Sequence, residues 1–359
     1  MKNILKFFRK DEIGEPPWDY NFLCNLKESE YPIYLEKIFN YRTGEKLPLR
    51  HGVIEKRRCK TFNQKIQWIK LYGVTSLMRN CTDKVNVREY VREKIGEKYL
   101  KPVLQIIPNE SHETIRCHCE QANNHLMSAW QSTNRCNDTP DCRGTQNVVV
   151  PNNDGKIEDI TAYFDKINWD KLPNSFVIKT NHGCKWQYII KNKEEYIKNK
   201  RLFDIVKKNT TGWLEQDYSF WEGFELNYHG IKPKILIEPL VRENINQQNK
   251  AIQVYCFNDM QYIIKFHMNN TISLWDCNLK EIENIFDFNE LNIKINADKL
   301  VEQALNLSKK LSKDFNFVRC DWMLYQNKLY FEEMTFTPYS GFYKFFNKHT
   351  NIQLGEYIK

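Results

Sequence analysis

The densest chemistry in the chain lies near its C-terminal end, in RCDWMLYQNKLYFEEMTFTPYSGF, residues 319–342. Two runs rich in aromatic and aliphatic residues, 317–325 and 329–336, flank the polar Gln326, Asn327 and Lys328, which is the pattern of an antiparallel hairpin. Side chains alternate faces along a strand, so Arg319 and Asp321 point the same way, and Glu333 and Thr335 share a face of the second strand. The loop decides which acid meets Asp321. A three-residue loop with Asn327 near its centre sets Asp321 opposite Glu333, whereas a two-residue Gln326-Asn327 turn brings Glu332 there instead. We take Asp321 and Glu333 as the pair.

Two facing acids, an arginine on the same face and then Thr337-Pro338-Tyr339-Ser340-Gly341 make sense together for a magnesium-bound nucleotide. Magnesium keeps much of its water and is usually held by one or two carboxylates plus substrate phosphates. The arginine would stabilise charge on a phosphoryl group in transfer, and the Ser-Gly turn would let backbone approach a substrate. The competing reading is an amphipathic hairpin with solvated acids. Arg-x-Asp followed by Glu-x-Thr does not decide between them.

The order Arg-x-Asp, short hairpin, Glu-x-Thr and Pro-x-Ser-Gly resembles the metal-binding end of the ATP-grasp fold. The fuller wording FVRCDWMLYQNKLYFEEMTFTPYSG is similar to the TupA-like ATP-grasp family, associated with bacterial surface-polysaccharide synthesis. The resemblance continues through YRTGEKLPL, TFNQKIQWIKLYG, CTDKVNVREYVREKIGEKYLKPV, LPNSFVIKTNHG and PKILIEPLV, and spans roughly residues 31–359 with one interruption. It implies Asp321, Glu333 and Thr335 as magnesium ligands and Arg319 as the group that steadies the reacting centre.

The elements that must position these groups lie upstream. Residues 17–110 read as mostly helical, with apolar spacing of three and four over Tyr31–Tyr41 and Phe62–Tyr72, the second opened by Thr61 or the basic cluster before it. That cluster, Lys56, Arg57, Arg58 and Lys60, reads as a solvated surface or as a face for an anionic glycan carrier. In Asp83-Lys84-Val85-Asn86-Val87-Arg88 an acid at a helix start precedes bases on successive turns, which can set positive charge near phosphates. The resemblance implies Arg88 as the catalytic cation that holds the nucleotide phosphates, with Lys84 second; an ordinary helix with a charged wet side is the alternative. SFVIKTNHG is a strand running into a loop, and its Lys179 can act as a point charge on phosphate oxygens. The resemblance makes Lys179 a nucleotide contact and the following His182-Gly183-Cys184-Lys185-Trp186 a lid, lacking the second glycine that the family tends to have. PKILIEPLV gives an apolar strand ending in Glu238 and Pro239; the resemblance makes this the adenine hinge, with Glu238 and the backbone of Leu240 as contacts. Where the family commonly has Asp-Tyr-Lys, this chain has Ala251-Ile252-Gln253, so any role of those groups is lost or moved, with Glu243 a candidate. Residues 191–209 read as a solvent-facing helix, and 298–314 as an amphipathic helix, with Leu300, Ala304, Leu307 and Leu311 apolar, packed behind the hairpin.

Asn109 to Lys156 departs from the family. This insertion carries Cys117, His118, Cys119, Cys136 and Cys142 in a polar stretch. Thiolates and imidazoles so gathered are the ligand types of a structural zinc site, which would use Cys117, Cys119, Cys136 and Cys142; a surface excursion with incidental cysteines is the other reading, because no standard ligand spacing is matched.

Composition sets outer bounds. The chain of 359 residues, 41% hydrophobic and 14% aromatic, is long enough for two or three domains with a substantial core. A formal charge of +8, from 53 basic and 45 acidic residues, fits phosphorylated or acidic ligands, but no concentrated arginine-rich segment argues for nucleic acid. Eleven cysteines with no signal peptide suggest reduced thiols and a cytoplasmic location. No run approaches the roughly 20 apolar residues of a membrane span. A peripheral contact at the inner membrane through Phe7 and Phe8 competes with a frayed or helical start.

The expected architecture is an α+β ATP-grasp fold: a helical N-terminal region (1–108), the Cys/His insertion (109–156), a small lobe with lid and hinge (157–240) and a large lobe with the metal site (241–359). The resemblance implies an ATP- and Mg2+-dependent ligase that joins a carboxylate on an acidic sugar or glycan to an amine through an acyl phosphate. A glycosyltransferase of the same pathway, a kinase on the same fold and a non-catalytic nucleotide-binding module are the other classes left open.

Overall fold

The computed structural model describes residues 19–108, 150–151, 157–241, 250–257, 262–268, 271–283, 285, 291–292, 298–345 and 347–359. The zinc expectation on Cys117, Cys119, Cys136 and Cys142 lies outside these residues, as do Phe7, Phe8 and Glu243. Among the described residues, no helix is long and apolar enough to cross a membrane.

After a short turn of helix, α1 (Tyr20–Cys24), the apolar spacing forms α2 (Tyr31–Thr43) and α3 (Phe62–Tyr72). Thr61 opens α3 as expected: its hydroxyl accepts from the Gln64 N–H, and Gln64 reaches back to the Thr61 N–H at 3.2 Å, a reciprocal cap that satisfies two otherwise orphaned donors. Two shorter helices follow, α4 (Ser76–Thr82) and α5 (Val87–Ile95). The single helix expected over 191–209 is two, α6 (Lys193–Lys198) and α7 (Lys200–Leu214), because Asn199 leaves helical geometry and its side chain caps the second at the Leu202 N–H, 3.1 Å. Further on are α8 (Lys299–Leu311), capped by Asp298, and α9 (Lys348–Glu356).

Two antiparallel sheets carry the site. The smaller has four strands in the order β1 (Gln105–Ile107), β4 (Ile235–Pro239), β2 (Phe176–Thr180), β3 (Gln187–Ile190). The larger has seven: β5 (Lys250–Phe257), β6 (Tyr262–Met268), β7 (Thr271–Trp275), β8 (Glu281–Ile282), β9 (Leu291–Asn292), β10 (Phe317–Tyr325) and β11 (Lys328–Thr335). Their order is β8-β7-β6-β5-β10-β11, with β9 added in parallel on β7.

Helix α8 packs behind the β10–β11 hairpin as expected, burying Val301, Ala304, Leu305, Leu307 and Leu311, and its Ser308 hydroxyl accepts from the Trp322 indole N–H at 2.8 Å. The core beneath the large sheet also takes in Phe62 and Ile66 of α3 and Val87, Tyr90 and Val91 of α5. Phe62 meets Phe317 edge-on at 5.2 Å and Tyr343 at 5.6 Å. The small sheet has its own core with Phe164, Val206 and Leu214. A third gathers Leu35, Ile38 and Phe39 of α2 with Phe220 and Phe224.

Candidate active site

The hairpin pairs Asp321 with Glu333, but not for the reason the sequence offers. Its loop is the two-residue turn Gln326-Asn327, both with positive φ (45° and 58°), and pairing runs Tyr325–Lys328 through Trp322–Phe331. Continued without a break, that ladder would put Glu332 against Asp321. Instead a β-bulge between Asp321 and Trp322 leaves Glu332 as the extra residue, and the register resumes at Asp321–Glu333 and Arg319–Thr335. A bulge re-aims a side chain and sharpens the local twist. Here it frees Glu332 from the ladder while Glu333 and Thr335 keep the face of Asp321.

On that face the groups are tightly bound to one another. Arg319 grips Asp321 with two hydrogen bonds, Nε to Oδ1 at 2.7 Å and Nη2 to Oδ2 at 2.6 Å, and reaches Thr335 Oγ1 at 3.3 Å and Glu333 Oε1 at 3.5 Å. Thr335 donates to Glu333 at 2.9 Å. Gln253, across on β5, donates to Asp321 Oδ2 at 3.1 Å, so the last position of Ala251-Ile252-Gln253 supplies an amide to the acid. Lys265 on β6 pairs with Gln253, extending one cross-sheet row Lys265, Gln253, Asp321, Glu333. Burial, aided by the charge of Glu333, pushes the Asp321 carboxyl up to about 6 despite Arg319. Two carboxylates and a hydroxyl suit magnesium, which completes its shell with water and phosphate. Among the described residues no group of three or more His, Cys, Asp or Glu is gathered as a metal site.

The cations of the small sheet and of the segment leading into it meet the large sheet at Glu332. Lys179 on β2 lies 2.7 Å from Glu238 Oε2 on β4 and 3.6 Å from Glu332 Oε1. Arg88 on α5 turns inward, donating to the Lys101 carbonyl at 2.6 Å with its guanidinium 3.7 Å from Glu238. Lys101, which the sequence reading passed over, lies between two acids, 3.0 Å from Glu238 and 2.5 Å from Glu332. Burial alone would raise Glu238, but Lys179 and Lys101 hold it down to about 2. The Glu238 carboxylate is thus engaged with three cations, while Leu240 lies half-buried just beyond the strand end. The only sequence signal for Lys101 is a base directly before Pro102 at the head of an edge strand.

The turn after β11 is unusual: Tyr339, Ser340 and Gly341 all have left-handed φ, 50°, 53° and 70°. Two non-glycine residues in that region store strain that the surroundings must hold. Gln67 of α3 does so by donating to the carbonyls of Ser340 and Gly341, each at 2.9 Å, and buried Lys70 donates to Ser340 Oγ at 2.7 Å.

A sequence model of the TupA-like ATPgrasp family matches residues 156–359, more than half of the chain. The chain belongs to this family. Its two-sheet α+β architecture is accordingly the ATP-grasp fold. No curated protein sequence matches it. Among solved structures it is similar to a D-alanine–D-alanine ligase from Helicobacter pylori, at 14% identity and TM-score 0.38 over 83% of this chain and 69% of that one. A D-alanine–D-alanine ligase from Bacillus anthracis, complexed with ATP, is 14% identical with TM-score 0.32 over 79% of this chain and 64% of that one. A phosphoribosylglycinamide synthetase from Anaerococcus prevotii is 15% identical with TM-score 0.21 over 52% and 37%.

In this ATP-grasp chain the segment read as the lid is pinned. Lys84 donates through its side chain to the Gly183 carbonyl and through its N–H to Asn181 O at 3.1 Å. His182 is buried between Asn181 Oδ1 at 3.2 Å and the Trp213 carbonyl at 3.1 Å, and burial lowers its imidazole to about 4. Lys185 adopts the left-handed conformation (φ 61°) that a second glycine would take at less cost. Trp186 packs closely against Gly183 and stacks on Trp213 at 6.1 Å with a 3° interplanar angle. A Cβ on Gly183 would fall 2.3 Å from the Trp186 ring, so Gly183→Ala must push the indole out of the stack. We expect that variant to lose about 1–3 kcal/mol, read as a lower urea midpoint with a changed near-UV dichroism from the tryptophans.

Proposed function

We propose that the chain is an ATP-dependent carboxylate–amine ligase. The observation that carries this reading is the meeting of two charge sets where the sheets join at Glu332: Asp321, Glu333, Thr335 and Arg319 on the large sheet, and Lys179, Glu238, Lys101 and Arg88 on or beside the small one. In this reading Lys179 and Arg88 hold the phosphates, with Lys84 and the main chain of Gly183 closing over them. The adenine lies along the hinge at Glu238 and Leu240. His182 acts by supporting the lid from beneath. Asp321, Glu333 and Thr335 would hold magnesium, which when bound neutralises phosphate charge.

The γ-phosphoryl group passes to a substrate carboxylate oxygen, giving an acyl phosphate and ADP. An amine then attacks the acyl carbon, the C–N bond forms, and inorganic phosphate leaves as the amine gives up a proton. Arg319 faces the charge that builds on the phosphoryl and carbonyl oxygens. Such catalysis is positioning and charge neutralisation and requires no side-chain nucleophile. The carboxylate is that of an acidic sugar or glycan in surface-polysaccharide synthesis, a step that rests on the family association and a modest positive charge.

The test is the thermal midpoint of the full chain with Mg-ATP, with Mg-free ATP and with a panel of sugar nucleotides, since a ligand of the folded state raises it. A rise with Mg-ATP that is weaker without magnesium is expected. A rise with a sugar nucleotide alone would replace this reading with glycosyl transfer. Hydroxylamine added during turnover should trap a hydroxamate; ADP release without one would point to a kinase.

A further inference from the structure

Glu332 and Lys101 have no catalytic task in the ligase reading, yet they join the sheets where that reading puts phosphate. Lys179 and Lys101 each lie within ion-pair distance of both Glu238 and Glu332, so the charge of each base is already shared between two carboxylates and a phosphate arriving there competes with them. The two carboxylates differ in how readily they can yield. Glu238 is the fixed one: it sits within strand β4, its side chain is 5% exposed, and it takes three cations at 2.7, 3.0 and 3.7 Å. Glu332 is the movable one: it is the extra residue of the bulge, and its side chain is 35% exposed.

We propose that Glu332 stands in for a nucleotide phosphate on Lys101 and Lys179 until a polyphosphate displaces it, and that Lys101 is a further phosphate-binding residue of the site. The inference rests on the nucleotide reading of the cleft. With Glu332 in place, three cations (Arg88, Lys101, Lys179) face two carboxylates. Once it swings out, the net charge of the cluster rises from +1 to +2. That charge suits a polyanion and offers nothing to an uncharged nucleoside. Were both to stay, the Glu332 carboxylate would lie against phosphate oxygens, a like-charge contact that a partly buried site screens poorly. Glu332 therefore lowers affinity for every phosphorylated ligand and makes occupancy depend on phosphate rather than on base and ribose.

Calorimetric titration of the full chain with Mg-ATP and, separately, with adenosine tests this for the wild type, Glu332→Gln, Lys101→Met and Lys101→Arg. One charged contact is worth about a factor of ten. Glu332→Gln is expected to bind Mg-ATP about tenfold tighter with adenosine binding unchanged; Lys101→Met to bind Mg-ATP about tenfold more weakly, with Lys101→Arg restoring most of the loss. Unchanged or weaker Mg-ATP binding by Glu332→Gln overturns the proposal, and so does an equal change for adenosine. If Lys101→Met does not fold, the Glu332→Gln result decides alone. A wild type that binds Mg-ATP no better than adenosine sinks the nucleotide reading itself, whereas normal wild-type binding with an indifferent Glu332→Gln sinks only this inference.

Discussion

Glu333→Gln is expected to abolish turnover while leaving the fold in place. The side chain is 27% exposed and is held by the Thr335 hydroxyl at 2.9 Å, a bond that the amide oxygen of glutamine can still accept. No core contact is lost, so the unfolding free energy should move by less than about 1 kcal/mol. What disappears is one of the two negative charges on the face where magnesium and the transferring phosphoryl group are expected, and removing such a charge costs on the order of a thousandfold or more in rate. Asp321 cannot compensate, because its carboxyl is already shared with Arg319 at 2.6 and 2.7 Å and with Gln253 at 3.1 Å. ADP release from Mg-ATP is the measurement, alongside far-UV dichroism. Near-normal ADP production by a folded Glu333→Gln would defeat the assignment.

The second large effect is on stability. Glu238→Gln leaves buried Lys101 and Lys179 with the more exposed Glu332 as their one carboxylate among the described residues, and breaking a buried ion pair from one side costs about 3–5 kcal/mol. The wild type should show the corresponding pH dependence. Glu238 is held down to about 2 from an ordinary 4.5, so the stability it contributes is fully present above about pH 4.5 and is lost as the pH falls toward 2. Urea midpoints for both proteins at pH 7 and near pH 3 read this directly. The gap between them should be wide at pH 7 and narrow in acid; a constant gap would mean that Glu238 acts through packing rather than charge.

The parts of the site that could be read from sequence are those written within one element. Arg319, Asp321, Glu333 and Thr335 sit two apart on neighbouring strands, and alternation alone puts each pair on a face. Thr61 with Gln64 marks a helix start in the same local way. What escaped was whatever depends on how elements meet. The bulge shifts register by one residue, and nothing in Phe331-Glu332-Glu333 tells which acid is extruded. Lys101 matters only because β1 lies beside β4, which brings it to Glu238. His182 looked like a lid contact from its place beside Gly183, but α7 offers the Trp213 carbonyl and takes the imidazole inward. The missing second glycine was legible as a difference; that Trp186 would cover Gly183 was not.

The sharing of one core between α3, α5 and the large sheet bears on where the chain can be divided. The stretch that carries the family signature, residues 156–359, holds most of the groups assigned a chemical task but not Lys84, Arg88 or Lys101, and it does not hold all of the apolar surface that keeps the β10–β11 hairpin dry. Cut at its beginning, it would bare the sheet face now covered by Phe62, Ile66, Val87 and Val91, each worth about 1.5–3 kcal/mol when buried. It would also release the Pro338–Gly341 turn from Gln67 and Lys70. The minimal autonomous folding unit is therefore larger than the segment that sequence comparison picks out, and the N-terminal helices belong to it as structural partners rather than as an appendage.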